Sequence, residues 1–136
     1  MEKPFRRTLD SLSDLHRFLV DFLRTNRLEE DLEFPLNLVL EELFVNSVKY
    51  NPGSAHPVTV DLQKENDTLV FRMTDVGVKR FDITTAQPAD MSRVITNRPV
   101  GGLGIHLVKQ IMDEIEYEYD ERNRRSTITL IKHLRS

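Results

Sequence analysis

The chain has 136 residues, a formal net charge of −3 and 30% charged residues, which fits one domain over residues 1–136 and argues against nucleic-acid binding, for which a basic face is needed. The sequence contains no cysteine, so disulfides and thiolate zinc sites are excluded and nothing points to secretion. No apolar run approaches the roughly 20 residues of a membrane span, and we therefore expect a cytoplasmic domain that contacts neither membrane nor nucleic acid.

The first third of the chain predicts a short edge strand over residues 3–8 and then two helices. Asp10 or Ser11 is expected to cap the first helix by accepting from its free N–H groups. The buried face of that helix follows a three-four spacing, formed by Leu12, Leu15, Leu19, Phe22 and Leu23. The second helix is predicted to run from Pro35, which suits a first helical turn, to about Tyr50.

The remaining chain predicts two hairpins separated by a loop and a third helix. Apolar residues alternate over 58–62 and 69–73, and again over 115–119 and 127–133, as in strands with one buried face. Residues 75–100 show little periodicity, and a loop of this length in a compact domain is more often functional than idle. The order predicts an α+β fold, a two-layer sandwich whose mixed, mostly antiparallel sheet is covered on one face by about three helices.

The second helix carries an unusual polar face. Glu42 and Asn46 are four residues apart and therefore share one side of the helix, which Lys49 and Tyr50 extend by another turn. A carboxylate beside a carboxamide oxygen suits Mg²⁺, and it also suits a base near a metal-bound phosphate. The alternative is a solvated helix face with a Glu–Lys network.

A glycine-rich run, Gly101-Gly102-Leu103-Gly104, comes directly before the third helix. Glycines let backbone N–H groups approach an anion closely, and the helix N-terminus adds a favourable partial charge. No Gly-Lys-Ser/Thr follows and no βαβ context exists, so neither a P-loop nor a dinucleotide-binding turn is indicated. The alternative is a tight loop-to-helix connection.

The third candidate is Asp75-Val76-Gly77, at the end of a hydrophobic strand. A carboxylate at this position can accept from an amine such as the adenine amino group. Gly77 would let the base lie close to the backbone. A strand-terminating turn is the alternative.

In this order, residues 42–50, 75–77 and 101–104 resemble the N box and the two glycine boxes of the ATP-binding domain shared by gyrase, the ninety-kilodalton heat-shock chaperones, the mismatch-repair ATPases and histidine kinases. The resemblance extends from about residue 9 to residue 134. Within that superfamily the chain is most similar to the bacterial anti-sigma factor serine/threonine kinases, on the run 98–108, the pair Met112-Asp113 and the pair Phe81-Asp82.

The resemblance implies a role for each matching residue. Glu42 would be the base that orients or deprotonates the attacking hydroxyl, and Asn46 would hold Mg²⁺ through its side-chain oxygen. Asp75 would receive the adenine amino group, Gly77 would shape the base pocket, and Thr127 would support Asp75 and adenine through water.

The same resemblance places other residues beside the phosphates. Lys49 stands where histidine kinases often have a basic residue near phosphate, and Arg98 is expected to reach the phosphates or a partner. The phosphate cradle would be formed by Gly101, Gly102, Leu103 and Gly104. The first glycine box departs from the family pattern, because Lys79 replaces its glycine or proline and one extra residue precedes Phe81.

The function implied is an ATP-binding anti-sigma regulatory factor with serine/threonine kinase activity. Its expected partners are a sigma factor, an anti-anti-sigma protein of the STAS type and a second copy of itself in a homodimer. Because of the altered glycine box, a nucleotide-dependent binding module without phosphotransfer is the alternative. An interaction domain that binds no ATP is the third hypothesis.

Overall fold

A computed structural model describes residues 1–51, 54–80 and 101–134. Its helices are α1 (Ser11–Thr25), α2 (Glu33–Tyr50) and α3 (Gly101–Ile111), and a 3-10 turn over Glu30–Leu32 precedes α2. Its strands are β1 (Glu2–Phe5), β2 (Val58–Glu65), β3 (Thr68–Val76), β4 (Glu114–Asp120) and β5 (Arg125–His133). The predicted features at Phe81-Asp82 and Arg98 lie outside the described residues.

The five strands form one sheet in the order β1-β2-β3-β5-β4. All four pairings between these strands are antiparallel, so the described part of the predicted mostly antiparallel sheet contains no parallel pair. β3 is the central strand, and its C-terminal end lies between β2 and β5. Two hairpins were expected from alternation, and both are confirmed within a few residues.

One face of the sheet packs against the helices. Val60, Phe71 and Leu130 point into this layer and are almost fully buried. Phe22 of α1 meets Phe71 of β3 edge to face, with ring centroids 5.7 Å apart, a geometry that adds to simple area burial. The predicted α+β sandwich is therefore confirmed.

The start of the chain differs from its prediction in two respects. β1 ends at Phe5 rather than near Thr8, because the chain turns there: the Thr8 N–H donates to the Arg6 carbonyl at 2.8 Å. The predicted side-chain cap of α1 is wrong. Asp10 has helical dihedrals and makes no cap hydrogen bond, whereas Ser11 Oγ donates to the Arg6 carbonyl at 2.8 Å.

The other two helices begin earlier than expected. α2 begins at Glu33, which leaves Pro35 in the first turn, where a missing N–H has no intrahelical partner to lose. α3 begins at Gly101, so the glycine-rich run forms the first turn of the helix and not a turn before it. Among the described residues, no helix combines the length and apolar character that a membrane span requires.

Candidate functional site

A cavity of about 60 Å³ lies between the C-terminal half of α2 and the adjoining ends of β3 and β5. Among the described residues it is lined by Leu43, Asn46, Ser47, Tyr50, Asn51, Met73, Asp75, Lys79, Tyr117, Ser126 and Ile128. Polar side chains from α2 and β3 thus meet over an apolar floor. Pockets that combine an apolar lining with a few convergent polar groups are typical binding sites.

Asn46 is the buried polar residue of the helical wall. It is 3% exposed, and among the described residues its Nδ2 has no hydrogen-bond partner. A buried amide N–H group needs an acceptor, and the Glu42 carboxylate one turn earlier on α2 interacts with this side chain. The helical spacing predicted from the sequence is confirmed, because Glu42 lies one turn before Asn46 on α2.

Glu42 is half-buried beside this wall. Burial raises the pKa of the Glu42 carboxyl above its ordinary value, and the charge of Glu41 adds to the rise. The Asn46 side-chain amide acts in the opposite direction and lowers the pKa of this carboxyl. Burial also raises the pKa of the Tyr50 phenol, and the negative charge of Glu42 adds to this rise. The two side chains therefore interact electrostatically along α2.

Asp75 is the buried carboxylate of the sheet wall. It is the second-to-last residue of β3, and it is 3% exposed. Its two oxygens are held by the Arg7 guanidinium: Nη2 donates to Oδ1, and Nη1 donates to Oδ2 at 3.2 Å. Asn51 Nδ2 also donates to Oδ2 at 3.4 Å. A carboxylate at the predicted position is therefore present, ionically paired and aimed at the cavity.

Gly77 has a positive φ and a close neighbour where a side chain would stand, and both favour glycine. Its φ is +73°, and a Cβ built there would lie 3.0 Å from His56 Cδ2. Its N–H donates to the Arg124 carbonyl at 2.8 Å, which fixes the chain as it leaves β3. His56 is thus the described neighbour of Gly77, and the approach of a base to this backbone stays a prediction.

The sheet register separates two adjacent hydroxyls. Ser126 pairs with Asp75, while Thr127 pairs with Thr74. Because side chains alternate across a strand, Ser126 shares the cavity face with Ile128, and Thr127 lies on the opposite face. The structure therefore favours Ser126 over Thr127 as the hydroxyl that supports Asp75.

The remaining predicted residues are placed less directly. Lys49 is partly exposed on α2 and is not among the described residues that line the cavity. Gly101, Gly102, Leu103 and Gly104 contribute the first backbone turn of α3, where free N–H groups are found. Their contact with phosphate remains a prediction.

Sequence reasoning missed three polar residues of the site: Arg7, Asn51 and Ser126. Arg7 carried no signal, because it is 68 residues away from the carboxylate that it binds. Asn51 directly follows the predicted end of α2 at Tyr50, and no motif included it. Ser126 had a signal, since it shares the alternation of Ile128 and Leu130, and parity alone could have distinguished it from Thr127.

The donor set bears on which metal could bind here. Among the described residues no group of three or more His, Cys, Asp or Glu side chains could enclose an ion. Mg²⁺ prefers a few oxygen ligands and completes its shell with water and phosphate. The residues present fit a magnesium ion that arrives with a nucleotide, with the Asn46 side chain as its protein ligand.

Comparison with known families agrees with this fold. A model described as the histidine kinase-like ATPase domain matches residues 5–132. The chain therefore belongs to the histidine kinase-like ATPase domain family.

Two relatives are named as kinases. Serine-protein kinase RsbW of Listeria monocytogenes serovar 1/2a is 30% identical over 92 residues, which are 63% of this chain and 58% of that protein. Serine-protein kinase RsbW of Bacillus mycoides is 25% identical over 96 residues, or 68% and 58% of the two chains. The chain thus spans less than two thirds of the length of these curated relatives.

Solved structures share the fold at low identity. The SiaB–SiaC complex from Pseudomonas aeruginosa contains a chain with a TM-score of 0.64 and 14% identity, covering 97% of this chain and 87% of that one. The histidine kinase AdeS of Acinetobacter baumannii gives a TM-score of 0.52 and 12% identity, covering 100% and 68%. Both comparisons concern the fold alone.

Proposed function

We propose that this chain binds Mg-ATP in the cavity between α2 and the ends of β3 and β5, and transfers the γ-phosphoryl group to a serine or threonine of a partner protein. The observation that carries the proposal is that buried Asn46 and buried Asp75, from separate segments of the chain, line one cavity. The family membership and the similarity to serine-protein kinases support the same conclusion.

The base end of the cavity would recognise adenine. Asp75 accepts a hydrogen bond from the exocyclic amino group. Gly77 has no side chain, so the base can approach the backbone there. Ser126 supports the carboxylate from the neighbouring strand. These polar groups recognise the hydrogen-bonding groups of the base, whereas Met73 and Ile128 supply the apolar surface on which the base packs.

The phosphate end would be organised by α2 and α3. Asn46 contributes an oxygen to Mg²⁺, which neutralises charge on the phosphates when bound. The first turn of α3, residues 101–104, offers backbone N–H groups and the positive end of the helix dipole to the phosphates. Lys49 adds a cation on the same helix as Asn46, and Arg98 is assigned to the phosphates or to the partner.

Glu42 would act as the general base. In the transfer step the acceptor hydroxyl oxygen forms a bond to the γ-phosphorus, the bond from that phosphorus to the ADP oxygen breaks, and the hydroxyl proton passes to the Glu42 carboxylate. A base works best when its pKa lies near the working pH, and burial moves the pKa of Glu42 upward in this direction. Positioning and charge neutralisation supply most of the rate in such reactions.

The partners belong to the same proposal. We assign to this chain a sigma factor that it holds inactive and a STAS-type anti-anti-sigma protein that it phosphorylates. Homodimer formation is part of the proposal, as is a cytoplasmic location. The support is the similarity to proteins named serine-protein kinase RsbW.

The proposal is tested by separating binding from transfer. Glu42→Ala is expected to bind Mg-ATP within about threefold of wild type and to lose phosphotransfer by about 10²- to 10⁴-fold, the usual contribution of a general base. Asp75→Asn is expected to weaken ATP binding itself by about tenfold or more. Calorimetry measures the affinity for Mg-ATP. Incubation with labelled ATP and a STAS-type protein from the same genome measures phosphotransfer.

Glu41→Ala is the matched control, because Glu41 is an exposed carboxylate adjacent to Glu42 on α2. It should leave both quantities near wild type. Full phosphotransfer by Glu42→Ala would remove the base from the proposal, and failure of the wild type to bind millimolar Mg-ATP would defeat the nucleotide site altogether.

A second candidate function is a nucleotide-dependent binding module without phosphotransfer. The observation that favours it is Lys79, which lines the cavity where the family pattern has glycine or proline. Bound nucleotide together with an unlabelled partner in the assay above would select this candidate.

A further inference from the structure

Arg7 is a buried arginine that joins three segments at the edge of the cavity. Its side chain is 6% exposed. The guanidinium grips both oxygens of Asp75, Nη1 also donates to the Ser47 carbonyl at 2.9 Å, and Nε donates to the His56 carbonyl at 3.3 Å. Four of its five N–H donors are thus engaged in one orientation.

The segment that carries Arg7 is itself held in place. Phe5, two residues earlier, is 3% exposed and stacks edge to face on Phe18 of α1 at 5.6 Å. On the other side, Ser11 Oγ and the Thr8 N–H both donate to the Arg6 carbonyl. The guanidinium is therefore presented by a turn with its own hydrogen bonds and not by a side chain reaching over the surface.

The contacts of the Asp75 carboxylate occupy most of its hydrogen-bond acceptor positions. An ionised carboxylate has about four acceptor positions. Arg7 uses two and Asn51 approaches a third. Asp75 lines the cavity while Arg7 is not among its described lining residues. Counting these contacts of the described residues alone, the fourth acceptor position is left for the cavity.

We propose that Arg7 is a positioning residue that holds both carboxylate oxygens of Asp75 in one orientation, so that an acceptor faces the cavity and the site selects purines with an amino group at C6 over purines with an oxo group there. The inference rests on the proposed nucleotide function and names the residue that sets its base specificity. Arg7 itself does not touch the base.

The chemical reason lies in the hydrogen-bonding character of the group that meets the base. A carboxylate oxygen accepts from a 6-amino group and repels a 6-oxo oxygen. The two-pronged contact with a guanidinium gives that oxygen one direction. Without Arg7 the carboxyl group could turn, and the site would discriminate less between the two kinds of purine.

Among the residues that the structure describes, Arg7 is the cation that forms an ion pair with Asp75. Tyr50 on α2 and Tyr117 on β4 line the cavity without being cations, and Glu42 on α2 carries a negative charge. Lys79 lines the cavity but is exposed after β3, and an ammonium cannot make the two-pronged contact of a guanidinium. His56 meets Arg7 through its backbone carbonyl.

The test compares Mg-ATP with Mg-ITP, which carries the 6-oxo group, by calorimetry. The wild type is expected to prefer ATP by about tenfold or more, as for one hydrogen bond to a charged group. Arg7→Met should lower this ratio of ATP affinity to ITP affinity by about fivefold or more. Arg7→Lys keeps the charge without the fork and should give an intermediate ratio.

Arg6→Met is the matched control, because Arg6 is the exposed neighbour in the same turn, and it should keep the wild-type ratio. If Arg7→Met does not fold, as judged by its thermal transition, Arg7→Lys decides alone. An unchanged ATP-to-ITP ratio in the folded Arg7 variants would overturn the inference, and so would tighter ATP binding, which would make the guanidinium a competitor of the base. Absence of any nucleotide binding by the wild type would instead refute the proposed function.

Discussion

Gly77 shows how one residue sets the exit from the central strand. Its positive φ brings the chain back toward Arg124, and His56 fills the place where a side chain would stand. A non-glycine residue in this conformation costs roughly 1–2 kcal/mol before any contact is considered.

Gly77→Ala is expected to lower the free energy of unfolding by about 1–2 kcal/mol or somewhat more, because the new Cβ meets both unfavourable dihedrals and the His56 ring. Urea denaturation measures the loss. The double variant Gly77→Ala/His56→Ala should recover only the part due to the ring, since the dihedral strain stays. Equal stability of Gly77→Ala and wild type would contradict this account.

Glu42 makes a prediction about stability and pH. Burial raises the pKa of its carboxyl in the folded state above the ordinary value of 4.5. Between that value and the raised pKa the folded state binds more protons than the unfolded state, so stability falls as pH rises through this window. At neutral pH the ionised carboxylate is therefore a destabilising group that the site retains.

Glu42→Gln should consequently raise the thermal midpoint at pH 7, and the gain should shrink as pH falls toward about 4, where Glu42 is protonated in both states. Thermal unfolding followed from about pH 4 to pH 8 measures it. The control is Glu121→Gln, at an exposed turn carboxylate, which should show no such pH-dependent gain. A gain of the same size at every pH would refute the raised pKa.

At the scale of elements, β1 and the turn after it connect the edge of the sheet to the cavity. β1 pairs with β2 on the outside of the sheet, and Phe5 at its end inserts between α1 and α2, with Phe44 at 6.4 Å in addition to Phe18. Arg7 follows two residues later and reaches the end of β3. The edge strand thus supports the site by holding the turn that carries Arg7, although none of the strand's residues lines the described cavity.

Phe5→Ala is expected to cost about 3–5 kcal/mol, because a large buried ring is removed from between two helices, and to weaken nucleotide binding by loosening the turn that presents Arg7. Chemical denaturation and calorimetry measure the two effects. Phe34→Ala is the control: the same truncation at a side chain that is 73% exposed should change both little. A stability loss no larger than that of Phe34→Ala would contradict the anchoring role.

At the scale of the whole molecule, periodicity predicted most of the fold. α1 and both hairpins follow from apolar residues that repeat every three to four or every two positions, and Pro35 lies in the first turn of α2. Asn46 was singled out by its spacing of four residues from Glu42, and Asp75 by its place at the end of a hydrophobic strand. Helix starts were less predictable, since Glu33 and Gly101 carry no apolar signal.

What the sequence could not reveal depends on distant contacts. The Arg7–Asp75 pair joins residues 68 positions apart, and nothing local to either residue specifies the other. The choice between Ser126 and Thr127 required the strand register, because a shift of one residue moves a side chain to the opposite face. Asp10 failed as a cap because its backbone is helical, a conformation decided by the turn before it.

The distance along the chain between Arg7 and Asp75 has a consequence for the order of folding. Closing so long a loop has an entropy cost that grows with its length, whereas the β2–β3 and β4–β5 hairpins close locally. We therefore expect the charge pair to form after these hairpins and after β1 has docked on β2. A refolding chain would then gain its strands first and the contact between Arg7 and Asp75 last.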